Sequence, residues 1–216
     1  MIIKDIQIDY IVVGMVQTNC YIIHRENSER CVIADPGDRA DTILKYLDEK
    51  GLTPEAILLT HGHFDHILAV GEIAAAKGCP VIVCDKEAAL LADATQNCTI
   101  MGTGKAYALQ ADRKVKDGEK FSVAGMNIKV IHTPGHTSGS CCYYFEEGFA
   151  LCGDTIFLES VGRTDLPTGN DYQIVPSIEE KIYALPDDTV LFPGHGQHTS
   201  VGYEKKNNPY TNGGTI

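Results

Sequence analysis

Seven consecutive residues, Thr60-His61-Gly62-His63-Phe64-Asp65-His66, place three imidazoles and a carboxylate in one short stretch. Imidazole nitrogen and carboxylate oxygen are the donors that suit zinc, iron or manganese. In an extended or looped backbone, alternate side chains share a side, so His61, His63 and Asp65 project together. His66 can turn inward as a following helix begins. A shuffled chain of this composition yields such a run roughly once in a thousand trials, which outweighs a polar loop with accidental histidines. Four donors do not complete a two-ion centre. Three further places carry a polar residue beside glycine just past a strand-like run: Pro134-Gly135-His136, Gly153-Asp154 and Gly194-His195-Gly196. Glycine there lets the backbone approach closely. Each alone reads as a turn. Together they predict a metal centre of His61, His63, Asp65, His66, His136, Asp154 and His195, on four loops at one edge of a sandwich.

The elements that must present these loops are legible in outline. Strands are expected at Ile6 to Val13, Cys20 to His24, Cys31 to Ala34, Ala56 to Leu59 and Pro80 to Cys84. Asp35-Pro36-Gly37 breaks the chain. Ala40, Ile43, Leu44 and Leu47 have helical spacing, with Gly51 as the stop. Ile67, Val70, Ile73 and Ala74 form a second helical face ending at Gly78. A short helix is expected from Lys86 to Leu91. Residues 93–112 lack pattern and read as a mobile loop. The second half is strand-rich: Lys120 to Val123, Met126 to His132, Ser140 to Phe145, Phe149 to Leu151 and Thr189 to Phe192, with a helix near Tyr172 to Ala184. Each half gives strands first and helices after, which fits an α/β fold of αββα layers in a single domain over 1–216.

Composition narrows the function. The 216 residues carry a net charge of −11, and an acidic surface repels phosphate backbones, so nucleic acid is not an expected partner. No run of eighteen apolar residues marks a membrane span. The first residues lack the pattern of a signal peptide, so a cytoplasmic location is expected. The eight cysteines are then expected as thiols. Most of them lie in apolar strand-like runs, where a free thiol behaves as a small hydrophobe.

The His-x-His-x-Asp-His run, followed in order by a His, an Asp and a His, resembles the metallo-β-lactamase superfamily. The resemblance extends from the Asp35 turn to Pro209 and implies the four-layer αββα sandwich. It also implies an allocation of ligands. His61, His63 and His136 would hold one ion, Asp65, His66 and His195 a second, and Asp154 would bridge them. Thr133-Pro134-Gly135-His136-Thr137-Ser138-Gly139, Gly153-Asp154-Thr155-Ile156-Phe157, Gly162-Arg163-Thr164-Asp165 and Pro193-Gly194-His195-Gly196 look like the motifs of short, single-domain glyoxalase II-like enzymes. Those enzymes hydrolyse thioesters such as S-D-lactoylglutathione, so a small-molecule thioester is the expected substrate. The cofactors are expected to be two divalent metal ions, zinc first, with iron or manganese also suited to the donors. Arg163 and Asp165 stand where the long glyoxalase II form has a Lys and a Tyr that touch glutathione, and Gln197 replaces a common Pro. An iron persulfide dioxygenase and a lactone or other ester hydrolase are rival readings on the same scaffold.

Asp65 and Asp154 are the expected catalytic carboxylates, holding the attacking water. No side-chain nucleophile is required, since neither Ser138 nor Ser140 sits in a Gly-x-Ser-x-Gly elbow. The planar fork of Arg163 suits a substrate carboxylate. Asp35 is expected to order the metal loop from behind, and His24 and His132 are read as strand residues.

Overall fold

The computed structural model describes residues 1–211; the last five residues of the expected domain, 212–216, lie outside them. The first sheet holds β1 (Ile2–Ile3), β2 (Ile6–Val13), β3 (Thr18–Arg25), β4 (Arg30–Ala34), β5 (Thr53–Leu59), β6 (Val81–Cys84) and β7 (Arg113–Val115), side by side in that order. Pairing is antiparallel as far as β4 and parallel from β4 to β7. The second sheet begins with β8 (Lys120–Val123), β9 (Met126–His132), β10 (Cys141–Phe145) and β11 (Phe149–Gly153). A small ribbon, β12 (Ile156–Phe157) and β13 (Ser160–Val161), then interrupts it. β14 (Val190–Pro193) and β15 (Thr199–Ser200) complete it, in the order β15-β14-β11-β10-β9-β8.

The helices are α1 (Ala40–Lys50), α2 (Phe64–Ile67), α3 (Val70–Lys77), α4 (Ala88–Leu91), α5 (Thr99–Thr103), α6 (Asp171–Ser177) and α7 (Val201–Asn207). Apolar alternation on two faces explains the layering. In β3, Tyr21 and Ile23 face the second sheet, where Met126, Ile128, Val130, Tyr143, Phe145 and Phe149 meet them. Cys20 and Ile22 face outward onto Ile43 and Leu47 of α1 and Val70 and Ile73 of α3. On the far side, Cys142, Ala150, Cys152 and Leu191 pack against Ile174, Ile178 and Ile182. Strands covered on both faces read as continuous apolar runs, and the result is the expected αββα sandwich. All eight cysteines are buried free thiols.

Gly51 and Gly78 stop α1 and α3 in the left-handed conformation, at φ 66° and 65°. Other expectations need correction. The helix read over Tyr172 to Ala184 is α6 followed by a π turn, Ile178–Ile182. Pro176 has no N–H for the helical ladder, and beyond it Tyr183 N–H reaches back five residues to Ile178 O at 2.9 Å. Residues 93–112, expected as a mobile loop, carry α5 and are tied down from inside. Asn97 Nδ2 donates to Tyr107 O at 2.8 Å, Thr99 Oγ1 donates to the same carbonyl at 2.9 Å, and Gly71 N–H donates to Tyr107 Oη at 3.0 Å. Among the described residues no helix is long and apolar enough to cross a membrane.

Candidate metal centre

β9, β11 and β14 run in one direction through the second sheet, and their ends fall on one edge. The end of β5 in the first sheet meets that edge, where Cys141 N–H donates to Thr60 O at 2.9 Å. The loops after these four strands carry all seven expected ligands. Asp65 and His66 lie in α2, so the run folds as extended backbone through His63 and as helix from Phe64.

The side chains converge. His136 Nε2 lies 3.2 Å from His61 Nε2 and 2.9 Å from His63 Nδ1. His66 Nε2 lies 3.4 Å from both Asp65 Oδ2 and Asp154 Oδ1. His195 Nε2 is 3.2 Å from Asp65 Oδ2 and 3.5 Å from Asp154 Oδ2. Three groups have donor atoms within 4.8 Å of one another: His61, His63 and His136; His61, His66 and Asp154; Asp65, His66 and His195.

These donors fit divalent cations. His63 Nε2, His66 Nε2 and Asp154 Oδ1 are buried without a hydrogen-bond partner, a costly state for polar atoms unless something else engages the cluster. The outer nitrogens of three rings are already committed. His136 Nδ1 donates to Arg163 O at 2.7 Å, and His195 Nδ1 donates to Gln17 O at 3.3 Å. His61 Nδ1 donates to Thr60 Oγ1 at 3.2 Å, because the Thr60 hydroxyl donates onward to Asp35 Oδ2 at 2.6 Å. These acceptors keep a proton on Nδ1, so that Nε2 is the nitrogen left to bind an ion at the centre, the arrangement a metal-ligating imidazole adopts.

Electrostatics point the same way. Burial, reinforced by His66 and His136, drives the His61 pKa well below its ordinary value. Burial and His136 bring that of His63 down to about 3. Burial opposes charge on His66 as well, but Asp65, Asp154 and Asp35 outweigh it and raise its pKa. Burial is likewise overcome at His195, where hydrogen bonds to Asp154 and Asp65 raise the pKa to about 10. The carboxylates therefore demand positive charge at this point, a demand divalent cations meet.

A sequence profile described as the metallo-beta-lactamase superfamily matches residues 13–195, a span that includes every candidate ligand. The chain belongs to the metallo-β-lactamase superfamily. It is 39% identical over 203 residues to a Bacillus subtilis protein named a probable metallo-hydrolase, covering 93% of this chain and 95% of that one. It is 32% identical over 208 residues to the hydroxyacylglutathione hydrolase GloC of Haemophilus influenzae, covering 95% and 98%. Among solved structures, the B3 metallo-beta-lactamase BLEG-1 superposes with a TM-score of 0.91 at 37% identity, covering 96% of this chain and 100% of that one. TTHA1623 in a di-iron-bound form gives 0.82 at 32% identity, covering 94% and 99%. The chain is thus a metallo-hydrolase of this superfamily with a His/Asp metal-binding cluster.

In this metallo-β-lactamase domain, Asp35 stands behind the ligand loop as expected. Its carboxylate accepts from Thr60 N–H at 2.8 Å and from the Thr60 hydroxyl, and Oδ2 lies 3.1 Å from His66 Nδ1. Arg163, the expected substrate contact, has a neighbour the sequence reading did not pair with it. It lines the cavity over the centre, but its guanidinium grips Asp165 at 2.6 and 2.7 Å. The link from Arg163 to the centre is its carbonyl on His136. His24 and His132 stay outside the three groups, each donating to a backbone carbonyl.

Sequence reading missed the cavity walls Val16, Phe64, Phe157 and Leu166, which enclose about 480 Å³. It also missed Glu87, a buried carboxylate at the start of α4. A lone acid at a helix start reads as solvent-facing, so no signal marked it. Burial pushes the Glu87 pKa up to about 7, against hydrogen bonds from Gly62, Thr137 and Gly139. The folded state therefore keeps this proton over a pH range in which the unfolded chain, with its ordinary value near 4.5, has released it. The stabilisation is full below the unfolded value and is lost as pH rises through about 7. In metal-free protein, the stability difference between wild type and Glu87→Gln should move against wild type by roughly 2–3 kcal/mol between pH 5 and pH 8. Urea unfolding of both proteins at the two pH values reads this directly, and a difference that stays flat with pH would refute it.

Proposed function

We propose that the protein is a binuclear metal-dependent thioesterase acting on hydroxyacyl thioesters such as S-D-lactoylglutathione. The observation that carries this reading is the gathering of two donor groups, His61–His63–His136 and Asp65–His66–His195, on either side of Asp154 at the floor of an open cavity. The near full-length similarity to a hydroxyacylglutathione hydrolase supports the substrate class. His61, His63 and His136 would hold one ion, Asp65, His66 and His195 the other, and Asp154 would face both. Divalent cations in such a site lower the pKa of water towards 7 and polarise a carbonyl oxygen.

The chain's own groups supply the rest. No Ser, Thr or Cys is among the described residues lining the cavity, so water is the nucleophile. Asp65 and Asp154 present carboxylate oxygens towards the cavity floor, where they orient that water, and its proton passes to Asp65 or to solvent. Val16, Phe64, Phe157 and Leu166 form an apolar wall that holds the acyl chain and sheds bulk water. A thiolate, with a pKa near 8.5, leaves without a strong general acid.

Elemental analysis and a thioester-absorbance assay on one purified sample test the proposal. The expected result is about two ions per chain and hydrolysis that a chelator abolishes and added metal restores. Two ions with no cleavage of S-D-lactoylglutathione or a simple acyl thioester would reject the substrate class. The likeness to a B3 metallo-beta-lactamase supports a second reading, cleavage of a lactam or lactone ring. A chromogenic β-lactam and an acyl-homoserine lactone belong in the same assay.

A further inference from the structure

Glu87 follows the end of β6, and no part of it is exposed. Among the described residues it forms no ion pair, and its hydrogen-bond donors come from two different loops. Oε1 accepts from Gly62 N–H at 2.8 Å. Oε2 accepts from the Thr137 hydroxyl at 2.9 Å, and the Gly139 backbone packs against Glu87. The Thr137 hydroxyl lies 2.7 Å from Ser140 Oγ, which donates to it, so the Thr137 proton is free for Glu87. Gly62 stands between His61 and His63, and Thr137 follows His136.

The fit is close on both sides. A Cβ on Gly139 would lie 2.2 Å from Glu87 N and 2.5 Å from Oε2. A Cβ on Gly62 would lie 2.8 Å from Leu90 Cδ2 and 3.4 Å from Glu87 Oε1. One buried carboxylate therefore joins a loop of the first sheet to a loop of the second. Those two loops supply all three imidazoles of one candidate group and only part of the others.

We propose that Glu87 is a positioning residue for the His61–His63–His136 group, fixing the spacing of its two loops and so setting the affinity of that subsite for a divalent cation. The proposal rests on the reading of these histidines as metal ligands. A purely structural brace would weaken the fold without singling out one subsite. The Asp65–His66–His195 group has no hydrogen bond to Glu87, which makes the effect selective.

The test titrates metal-free protein with Zn²⁺ in competition with a chromophoric chelator and records a thermal melt of each variant. Glu87→Gln, Glu87→Asp and Thr137→Val are compared with wild type. Glu204→Gln serves as control, because Glu204 is equally buried but bonds to Thr199, Asn208 and Glu159, away from both loops. The expected result is that Glu87→Gln weakens one class of zinc site by roughly 10–100-fold and leaves the other class within about threefold. Thr137→Val should weaken the same class by less. Glu87→Asp, one methylene too short to reach both loops, should not restore it. Glu204→Gln should lower the melting temperature and leave both classes at wild-type affinity. If Glu87→Gln does not fold, Thr137→Val decides.

Equal weakening of both classes, or wild-type binding by Glu87→Gln and Thr137→Val, overturns the proposal while the metal centre stands. Wild-type protein that binds no zinc overturns the centre and the positioning role together.

Discussion

Asp154→Ala should lower hydrolytic turnover on the order of 10³-fold and reduce the bound metal from about two ions to about one. Asp154 lies between the groups: Oδ1 is 3.4 Å from His66, and Oδ2 is 3.6 Å from His136 and 3.5 Å from His195. Burial opposes its charge, yet the charge of His66 and the hydrogen bond from His195 hold its pKa well below the usual carboxylate range. Removing it takes a negative charge from a point that the two proposed ion positions would share. Gly194 keeps that point open, since a Cβ there would lie 2.2 Å from Asp154 Oδ1. Metal content and thioester turnover of the same preparation give the result. A variant that kept two ions and turned over within tenfold of wild type would remove Asp154 from the centre.

Asp35→Ala should cost the metal-free fold about 3–5 kcal/mol. The carboxylate is buried, accepts from two groups of Thr60 and stands beside His66. Its loss strands two donors and an imidazole that it helps to charge. The backbone adds to the cost. Asp35 sits at φ 49°, a left-handed conformation that Asp and Asn tolerate and Ala resists. Asp35→Asn should therefore cost much less, because it keeps an acceptor for Thr60 N–H and the same backbone preference. Urea unfolding of both variants decides. An alanine variant within about 1 kcal/mol of wild type would show that Asp35 does not brace the loop.

The centre was legible because its chemistry is written locally. Donors cluster in one run, and the remaining three each stand beside glycine at a strand end. The layers were legible for a similar reason, since strands such as β3 are apolar on both faces. What escaped depends on distant partners or on very short elements. Glu87 meets Gly62 across 25 positions and Thr137 across 50, and neither spacing has a period to detect. β12, β13 and β15 are two residues each, too short to alternate. The pairing of Arg163 with Asp165, only two positions on, was also not read from the sequence. A fork suited to an external carboxylate suits a neighbouring one equally well.

Every candidate group draws donors from both halves of the chain: His61 and His63 need His136, His66 needs Asp154, and Asp65 needs His195. No ion can be fully held until the second sheet has docked on the first. On a growing chain, the histidines near position 61 emerge long before residue 195 and offer an ion only a partial shell. A complete shell is therefore the last thing assembly makes, a latch that can close only over two lobes already in register. A truncated or misdocked chain lacks part of every shell, so weak metal retention should distinguish it from finished protein.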